Sequence, residues 1–373
     1  MNLRLARDLV LTLTFGVGAG LGATTALALD DPNATCLECH GQEGIEGTLR
    51  GGGSFPVLVD PKAWAGSVHG QSGLSCVDCH AAQSQIPHPD VTEKTRRDLT
   101  LRYYTVCQVC HEENYKKQLD SIHQKTVASG NKEAAVCTDC HNPHTQTRIT
   151  EASTGKVSSQ ARVRIPETCA RCHGKIAAAY RGSVHGSALL GEGNLDVPTC
   201  VDCHGVHNIA DPRTASFRSA SPALCAGCHT DRAKMKRYGL STDVLRSYVA
   251  DFHGTTVTLF QKEHPDQMSN KPVCFDCHGV HDIASKNDPT KGLRVRENLL
   301  RACQKCHPGA SANFPDAWLS HYIPSPEKTP LVYWVNAFYR LVIPGTVGGM
   351  LAWVTLDFVR RRIDRRREKR SSL

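Results

Sequence analysis

The chain has few of the residues from which a side-chain core is built. Aromatic residues make up only 6% of its 373 residues, it has four methionines, and long periodic apolar runs are absent between residues 30 and 325. Because burial of apolar surface drives compaction, this composition excludes an ordinary side-chain core. Something other than side chains must supply the buried apolar surface.

Excess charge is also missing from the body of the chain. The formal net charge is +8, but residues 360–373 contain eight basic and two acidic residues. The leader, residues 1–28, adds two arginines against one aspartate. The remaining body is nearly neutral, so the basic balance gives no support for nucleic-acid binding.

No cysteine lies outside one recurring motif, Cys-x-x-Cys-His. The 18 cysteines form the pairs Cys36 and Cys39, Cys76 and Cys79, Cys107 and Cys110, Cys137 and Cys140, Cys169 and Cys172, Cys200 and Cys203, Cys225 and Cys228, Cys274 and Cys277, and Cys303 and Cys306. This motif is the attachment signature of c-type haem. Its two thiols form thioethers to the porphyrin, and its histidine binds iron on the proximal side.

Three other uses of paired cysteines fit less well. A disulfide framework does not require histidine after every second cysteine, structural zinc sites space their histidines more widely, and a thioredoxin-like pair would occur once. We therefore predict nine covalently bound c-type haems. The predicted proximal ligands are His40, His80, His111, His141, His173, His204, His229, His278 and His307.

Ten histidines lie outside the motifs, enough to give each of nine irons a second axial ligand. Five follow a motif alone and at a distance, namely His69, His123, His185, His253 and His321. Four follow a motif closely, namely His88, His144, His207 and His281. We predict these nine as the distal ligands, which leaves His264 without a role.

The two contexts alternate along the chain, so it repeats a two-haem module four and a half times. The modules start near residues 36, 107, 169, 225 and 303, and their uneven spacing indicates loops of different length. The polar insertion at 145–165, rich in serine and threonine, is predicted to be one such loop.

The stretch CVDCHGVH, residues 200–207, contains two histidines whose close spacing limits which iron each can bind. His204 and His207 are three residues apart and project to the same side of a helix or turn, so they cannot clamp one iron from both faces. We expect His207 to bind the iron of a neighbouring haem; the alternative is a hydrogen bond to a haem propionate. His88 departs from the pattern, because it lies eight residues after its motif histidine. Met235 and Met268 are expected to pack rather than to ligate.

We expect a multihaem cytochrome c fold: mostly irregular loops with short α-helices packed around haems, little or no β structure, and one C-terminal transmembrane helix. The porphyrins would supply the buried apolar surface. Folding without haem is not expected, as in domains that depend on a bound metal.

The N-terminus predicts export. In residues 1–28, Arg4 and Arg7 precede an apolar stretch, and Ala26-Leu27-Ala28 fits a cleavage site; the alternative is an uncleaved anchor. The haem domain, residues 29–325, would then lie in the bacterial periplasm.

The C-terminus predicts a membrane anchor. Within the segment 326–359, the stretch 341–359 is 19 residues long, about the length that spans hydrocarbon, and aromatic residues precede it. The basic tail, 360–373, would remain in the cytoplasm by the positive-inside rule.

By its nine motifs, its CHGVH pairs and its GSVHG segments, the chain resembles the multihaem cytochromes c of bacterial anaerobic respiration that carry doubled CxxCH motifs. The resemblance covers most of residues 36–325. It implies chains of near-contact haems, low potentials from bis-histidine ligation, and quinol-oxidising membrane proteins or periplasmic reductases as partners. The chain departs from the tetrahaem quinol dehydrogenases, whose anchor is N-terminal. A C-terminal anchor suggests docking onto a separate membrane cytochrome b or quinol-binding subunit.

Two functions remain open. The first is electron transfer between the quinone pool and periplasmic or extracellular acceptors, with no catalytic residue. The second is a terminal oxidoreductase for nitrite, hydroxylamine or tetrathionate, which needs one haem with an open iron position. Such an open haem could place His264, Lys262 and Asp266 in a pocket; the alternative is a solvated loop. The supply of spare histidines favours electron transfer.

Overall fold

The computed structural model describes residues 31–317, 321 and 323–371. These residues form nineteen α-helices, three 3-10 helices and one two-stranded sheet. The predicted fold class is confirmed, since short helices dominate, β structure is minimal and a long apolar helix ends the chain. The predicted signal peptide lies outside the described residues.

Most of the helices are only one to three turns long. In chain order the α-helices are α1 (Ala34–His40), α2 (Pro61–Ala65), α3 (Val68–Gln71), α4 (Cys76–Cys79), α5 (Arg96–Tyr103), α6 (Glu112–Leu119), α7 (Ile122–Ala128), α8 (Cys137–Cys140), α9 (Ser159–Ala170), α10 (Gly174–Arg181), α11 (Val184–Gly191), α12 (Cys200–His204), α13 (Ala215–His229), α14 (Arg232–Arg237), α15 (Val244–Ala250), α16 (Phe252–Glu263), α17 (Cys274–His278), α18 (Arg296–Gln304) and α19 (Pro330–Ser371). The 3-10 helices are Ala81–Gln83, Tyr104–Val109 and Phe314–Ala317.

Counted from the N-terminus, the second, fourth, sixth and eighth motifs each form a short helix, and a residue of the motif caps the N-terminus of that helix. Each of these motifs has aspartate before its second cysteine, and this carboxylate accepts the backbone N–H of the residue preceding the motif at 2.6–2.7 Å. The four aspartates are Asp78, Asp139, Asp202 and Asp276. Capping of this kind satisfies helix donors that have no partner in the helix. A single helical turn then places both cysteines of the motif on one side.

A second set of helices carries the lone histidines at their second position. The residue that caps each of these helices, two positions before the histidine, is Ser67 in α3, Ser121 in α7, Ser183 in α11 and Asp251 in α16. In each case the side-chain oxygen accepts a backbone N–H from the first turn. The cap therefore fixes the start of the helix and, with it, the position of the histidine side chain.

Helices α10 and α11 approach so closely that only glycine fits between them. A Cβ atom added at Gly186 would lie 1.8 Å from the carbonyl oxygen of Tyr180. The same contact recurs at Gly70 and at Gly254, where the added Cβ would lie 2.1 Å from a carbonyl oxygen. Since glycine allows this approach, three of the four helices that carry lone histidines, α3, α11 and α16, pack closely against the helices that precede them.

The side-chain core is thin, as the composition predicts. Among the described residues, only Leu189, Val257, Val273 and Val136 are large aliphatic residues exposed by 3% or less. Strands β1 (Glu46–Thr48) and β2 (Ser54–Pro56) form a small antiparallel hairpin. This arrangement leaves space between the helices for groups other than side chains.

The loop prediction for 145–165 is wrong in its last third. Helix α9 begins at Ser159, and the hydroxyl of Ser158 accepts the backbone N–H of Ala161. Residues 145–157 contain turns and one isolated β-bridge. Serine in this segment is a helix cap, a role that composition alone does not separate from a loop.

Helix α19 is the one described helix that is long and apolar enough to cross a membrane. The apolar segment of this helix is not buried against the rest of the chain. The predicted span, 341–359, lies inside it, and Asp357 forms an ion pair with Arg361 at 2.7 Å. This i,i+4 pair neutralises the acidic residue at the end of the span.

Candidate haem-binding sites

None of the 18 cysteines is paired with another in the structure, and all are at least partly exposed. Among the described residues, no three histidine, cysteine, aspartate or glutamate side chains converge as a metal site. Tetrahedral zinc sites consequently have no geometric support here.

Every motif histidine faces one histidine from outside the motifs. The distances between ring centroids range from 5.9 to 6.4 Å. The nine pairs are His40 with His88, His80 with His144, His111 with His69, His141 with His207, His173 with His123, His204 with His281, His229 with His185, His278 with His321, and His307 with His253. The structure thus brings together each predicted proximal histidine with one predicted distal histidine.

These distances match two imidazoles that bind one metal ion from opposite sides. A metal–nitrogen bond of about 2.0 Å and about 1.2 Å from nitrogen to ring centre, counted twice, give about 6.4 Å. The observed pairs lie within half an ångström of this value. The residues present therefore fit bis-histidine haem iron, with the thiols of the same motif available for attachment.

The lone histidines pair two motifs ahead in the chain. His69, which follows the first motif, lies 6.1 Å from His111 of the third. His123 and His185 repeat this step toward the fifth and seventh motifs, and His253 toward the ninth.

The closely following histidines pair two motifs back. His144, beside the fourth motif, lies 6.0 Å from His80 of the second. His207 lies 6.3 Å from His141, and His281 lies 6.0 Å from His204. The two histidine classes therefore reach in opposite directions, and successive modules interlock.

The two ends of the repeat break this rule. His88 would need a motif before the first one, and it lies 5.9 Å from His40 instead. His321 lies 6.1 Å from His278, whose partner would otherwise come from a tenth motif. The spacing of eight residues at His88 belongs to this end position.

Backbone hydrogen bonds hold the two histidine classes in register. The residue before a lone histidine donates its N–H to a carbonyl two residues after a close histidine, in the pairs Val68 to Gln146, Ile122 to Ile209, and Val184 to Ile283, at 2.8–2.9 Å. Each bond joins segments more than 75 residues apart. The repeats thus share one framework.

The motifs follow one another in space in the order of the sequence. The first cysteines of motifs one and two, Cys36 and Cys76, lie close together, and so do those of motifs three and four, five and six, and seven and eight. The second cysteine of each even motif lies near the thiols of the next odd motif. The nine attachment sites form one unbranched series.

Burial keeps many of the paired imidazoles neutral. It lowers the pKa of His185 to about 4, with a smaller contribution from His229. Burial likewise lowers the pKa of His207 and of His281 below the usual value. A neutral imidazole offers the lone pair that metal binding needs.

Several imidazoles are oriented through Nδ1, which leaves Nε2 for a metal. Nδ1 of His40 lies 3.0 Å from the carbonyl oxygen of Val57, and Nδ1 of His69 lies 2.9 Å from that of Pro143. Nδ1 of His253 lies 3.1 Å from a carboxylate oxygen of Asp251. Contacts of this kind fix ring orientation and tune ligand basicity.

Three arginines that the sequence analysis missed hold the motif helices in place. Arg97, Arg162 and Arg218 form ion pairs with the motif aspartates Asp139, Asp202 and Asp276 at 2.8–2.9 Å. Each arginine also donates to a backbone carbonyl just before the same motif. A usable signal existed, since Arg162 and Arg218 each lie seven residues before a motif.

The remaining candidates do not join the series. Among the described residues, the ring of His264 contacts Phe260 and no second imidazole. Met235 is buried, and Met268 is 64% exposed. These residues do not lie in the imidazole pairs.

Two family profiles match parts of the chain. The cytochrome c3 profile matches residues 68–154, and the profile of the doubled CXXCH motif matches residues 193–234. No curated protein matches the chain. Each matched segment contains at least one Cys-x-x-Cys-His motif that is followed by a lone histidine and at least one that is followed by a close histidine.

Proposed function

Both profile matches support a multihaem c-type cytochrome, and from this premise we propose that the chain carries nine covalently bound haems through which electrons pass. When bound, c-type haem supplies a one-electron iron couple. The protein supplies two thiols and two imidazoles at each of nine positions. Electron transfer is the function that these multihaem domains imply.

The observation that carries the proposal is the set of nine imidazole pairs. Catalysis at haem requires an iron position that substrate can occupy. In the structure a second imidazole faces every motif histidine at 5.9–6.4 Å. Each of these imidazole pairs would hold haem iron from both sides, so that the bound haem would pass electrons to neighbouring haems and would leave no position for substrate at rest.

The linear series of motifs supports a path with two ends. One end is the first motif, at Cys36, and the other is the ninth motif, at Cys303, which leads within the chain toward α19. Contacts between the thiols of successive motifs imply short distances between successive haems. We propose that electrons enter or leave on the membrane side at the ninth haem.

The membrane side of the proposal depends on α19 and the basic tail after it. The exposed apolar surface of α19 would lie in the cytoplasmic membrane, with the haem domain in the periplasm and the arginines in the cytoplasm. We propose a membrane cytochrome b or quinol-oxidising subunit as the partner at this end. Periplasmic redox proteins would exchange electrons with the other end.

The test is to count haems and to determine their ligands in the purified, full-length protein. Nine haems per chain, all giving low-spin bis-histidine signals in electron paramagnetic resonance and magnetic circular dichroism, are expected. A haem count below nine, or a high-spin ferric signal in the untreated protein, would contradict the proposal. A high-spin ferric signal that nitrite or hydroxylamine shifts would favour an oxidoreductase instead.

A further inference from the structure

We propose that His88 is an exchangeable ligand, so that the first motif, Cys36 to His40, forms a binding site for a small neutral molecule. This inference rests on the proposed bis-histidine haems. In it, the bond from iron to the imidazole of His88 breaks and a bond from iron to the lone pair of the incoming molecule forms. No electron or proton is transferred in this exchange.

Exposure separates His88 from the other distal candidates. The remaining eight are all partly buried, whereas His88 is exposed. The exposure extends along the chain, since every residue from 84 to 90 is exposed. Solvent and small solutes therefore reach this imidazole directly.

The hydrogen bond that the ring of His88 makes stays within its own loop. Its Nδ1 lies 2.8 Å from the carbonyl oxygen of Gln85, three residues earlier. By contrast, Nδ1 of His69 lies against Pro143, and Nδ1 of His321 lies against Ser247, each 74 residues away in sequence. Because its hydrogen bond stays within the loop, His88 can leave the iron without disturbing contacts between repeats.

Secondary structure separates His88 from the four lone histidines that lie in helices, although His144, His207 and His281 also lie outside helices. His123 and His185 lie in helices α7 and α11, each capped by a buried serine. Removing one of these ligands would require a helix to move from its packed position. His88 lies outside any helix or strand, so its departure changes only loop dihedral angles.

The first motif lies at one end of the series. Every internal motif has thiol neighbours on two sides, whereas the first motif has only the second, through Cys36 and Cys76. The site therefore lies at the end of the electron path. A molecule bound there would be placed where electrons arrive or depart.

The charge around the first motif selects the class of ligand. Residues 31–60 contain five exposed acidic side chains and one basic side chain. Negative potential of this kind repels small anions, and salt screens the repulsion. We therefore assign the site to small neutral molecules that bind through a carbon or nitrogen lone pair, such as carbon monoxide, nitric oxide or pyridine.

The experiment titrates the reduced, full-length protein with carbon monoxide and compares it with His88→Gly. The wild type should bind a single carbon monoxide per chain, at a rate that saturates with ligand concentration because departure of His88 limits it. His88→Gly should also bind a single carbon monoxide, at a rate that rises linearly with concentration. His88 is exposed, so this variant should keep its fold and its other haems.

Other outcomes would overturn the inference in distinguishable ways. If the wild type stays low-spin and binds no carbon monoxide, His88 is a firm ligand while the proposed electron transfer stands. If His88→Gly binds two carbon monoxide molecules, the exchangeable haem lies elsewhere. A high-spin signal in the wild type before any ligand is added would contradict the proposed function itself.

A second measurement tests the ligand class in the oxidised protein. Azide affinity should rise severalfold as salt is added, whereas pyridine affinity should stay constant. Azide affinity that is unchanged or falls with salt would contradict the selection of neutral ligands. His88→Gly should show the same contrast, since the acidic residues remain.

Discussion

The imidazole of His207 lies 6.3 Å from that of His141, while His204, three residues before His207, faces His281 at 6.0 Å. Two histidines of one octapeptide thus belong to two different sites. A segment that serves two sites holds them close together. The short spacing in the sequence becomes a short distance between haems.

Replacing His207 with methionine should raise the potential of one haem, because His/Met ligation favours the reduced iron. We expect a positive shift of roughly 0.1 V, within the range of about 0.8 V that axial ligands span. Redox titration followed by magnetic circular dichroism would measure it. His264→Met is the matched control and should leave all potentials unchanged.

The double variant His207→Met, His281→Met should shift two haems, since the two histidines face different motif histidines. A shift of only one haem would mean that both histidines serve the same iron. No shift in either single variant would remove both from the ligand set.

Alanine at Gly186 should destabilise the fold around His185. The added Cβ would lie 1.8 Å from the carbonyl oxygen of Tyr180, so α10 and α11 must separate, at a cost of about 1–3 kcal/mol. Guanidinium unfolding followed by circular dichroism would measure the loss. Gly191→Ala is the control in the same helix, because nothing lies within 4 Å of its added Cβ; equal losses in both variants would contradict the close-packing argument.

Loss of the Arg218 side chain should destabilise the eighth motif. Its side chain is 17% exposed, and its guanidinium donates to both Asp276 and the carbonyl oxygen of Lys271. Removing charge-assisted hydrogen bonds that are partly buried costs about 1.5–3 kcal/mol. Arg213→Ala removes an ion pair with Asp211 in which the arginine is 80% exposed, so its effect on the unfolding free energy should be near zero.

Deletion of residues 326–373 should move the protein from the membrane fraction to the soluble fraction. The haem spectrum and the reduction potentials should not change, because α19 contributes no histidine to the pairs. Cell fractionation followed by haem staining would show the shift. Retention in the membrane would instead indicate that the N-terminal segment is an uncleaved anchor.

Much of the site could be predicted from local sequence, because attachment of c-type haem depends on five consecutive residues. The motifs, and the division of the other histidines into lone and close classes, needed nothing more. Which histidine faces which motif could not be predicted. His69 faces His111, rather than His80, which is nearer in sequence. Backbone hydrogen bonds such as that from Val68 to Gln146 set this register between repeats.

The Arg–Asp ion pairs could not be predicted for a similar reason. Asp202 is part of a motif, but its partner Arg162 lies 40 residues earlier, and the position of Arg162 seven residues before the fifth motif does not indicate which aspartate it meets. The fold class was within reach, since scarce aromatic residues exclude a large side-chain core. The start of α9 at Ser159 could not be predicted, because serine is favoured both at helix N-caps and in turns.

The contrast between Asp251 and the serines at its repeat positions leads to a last prediction. Ser67, Ser121 and Ser183 cap the other lone-histidine helices, whereas Asp251 brings a carboxylate to 3.1 Å from Nδ1 of His253. Negative charge beside an axial imidazole stabilises the oxidised iron. Asp251→Ser should therefore raise the potential of the haem that His253 and His307 share.

The repeat supplies the matched control for this prediction. Ser183→Asp introduces the same charge beside His185 and should lower the potential of a different haem, the one attached at Cys225 and Cys228. Both residues accept a backbone N–H as caps, so serine and aspartate should each preserve their helix. Redox titration of the two single variants should show potential shifts of opposite sign in two different haems. The double variant should show both shifts. Shifts of the same sign would mean that altered capping, rather than charge, controls the potentials.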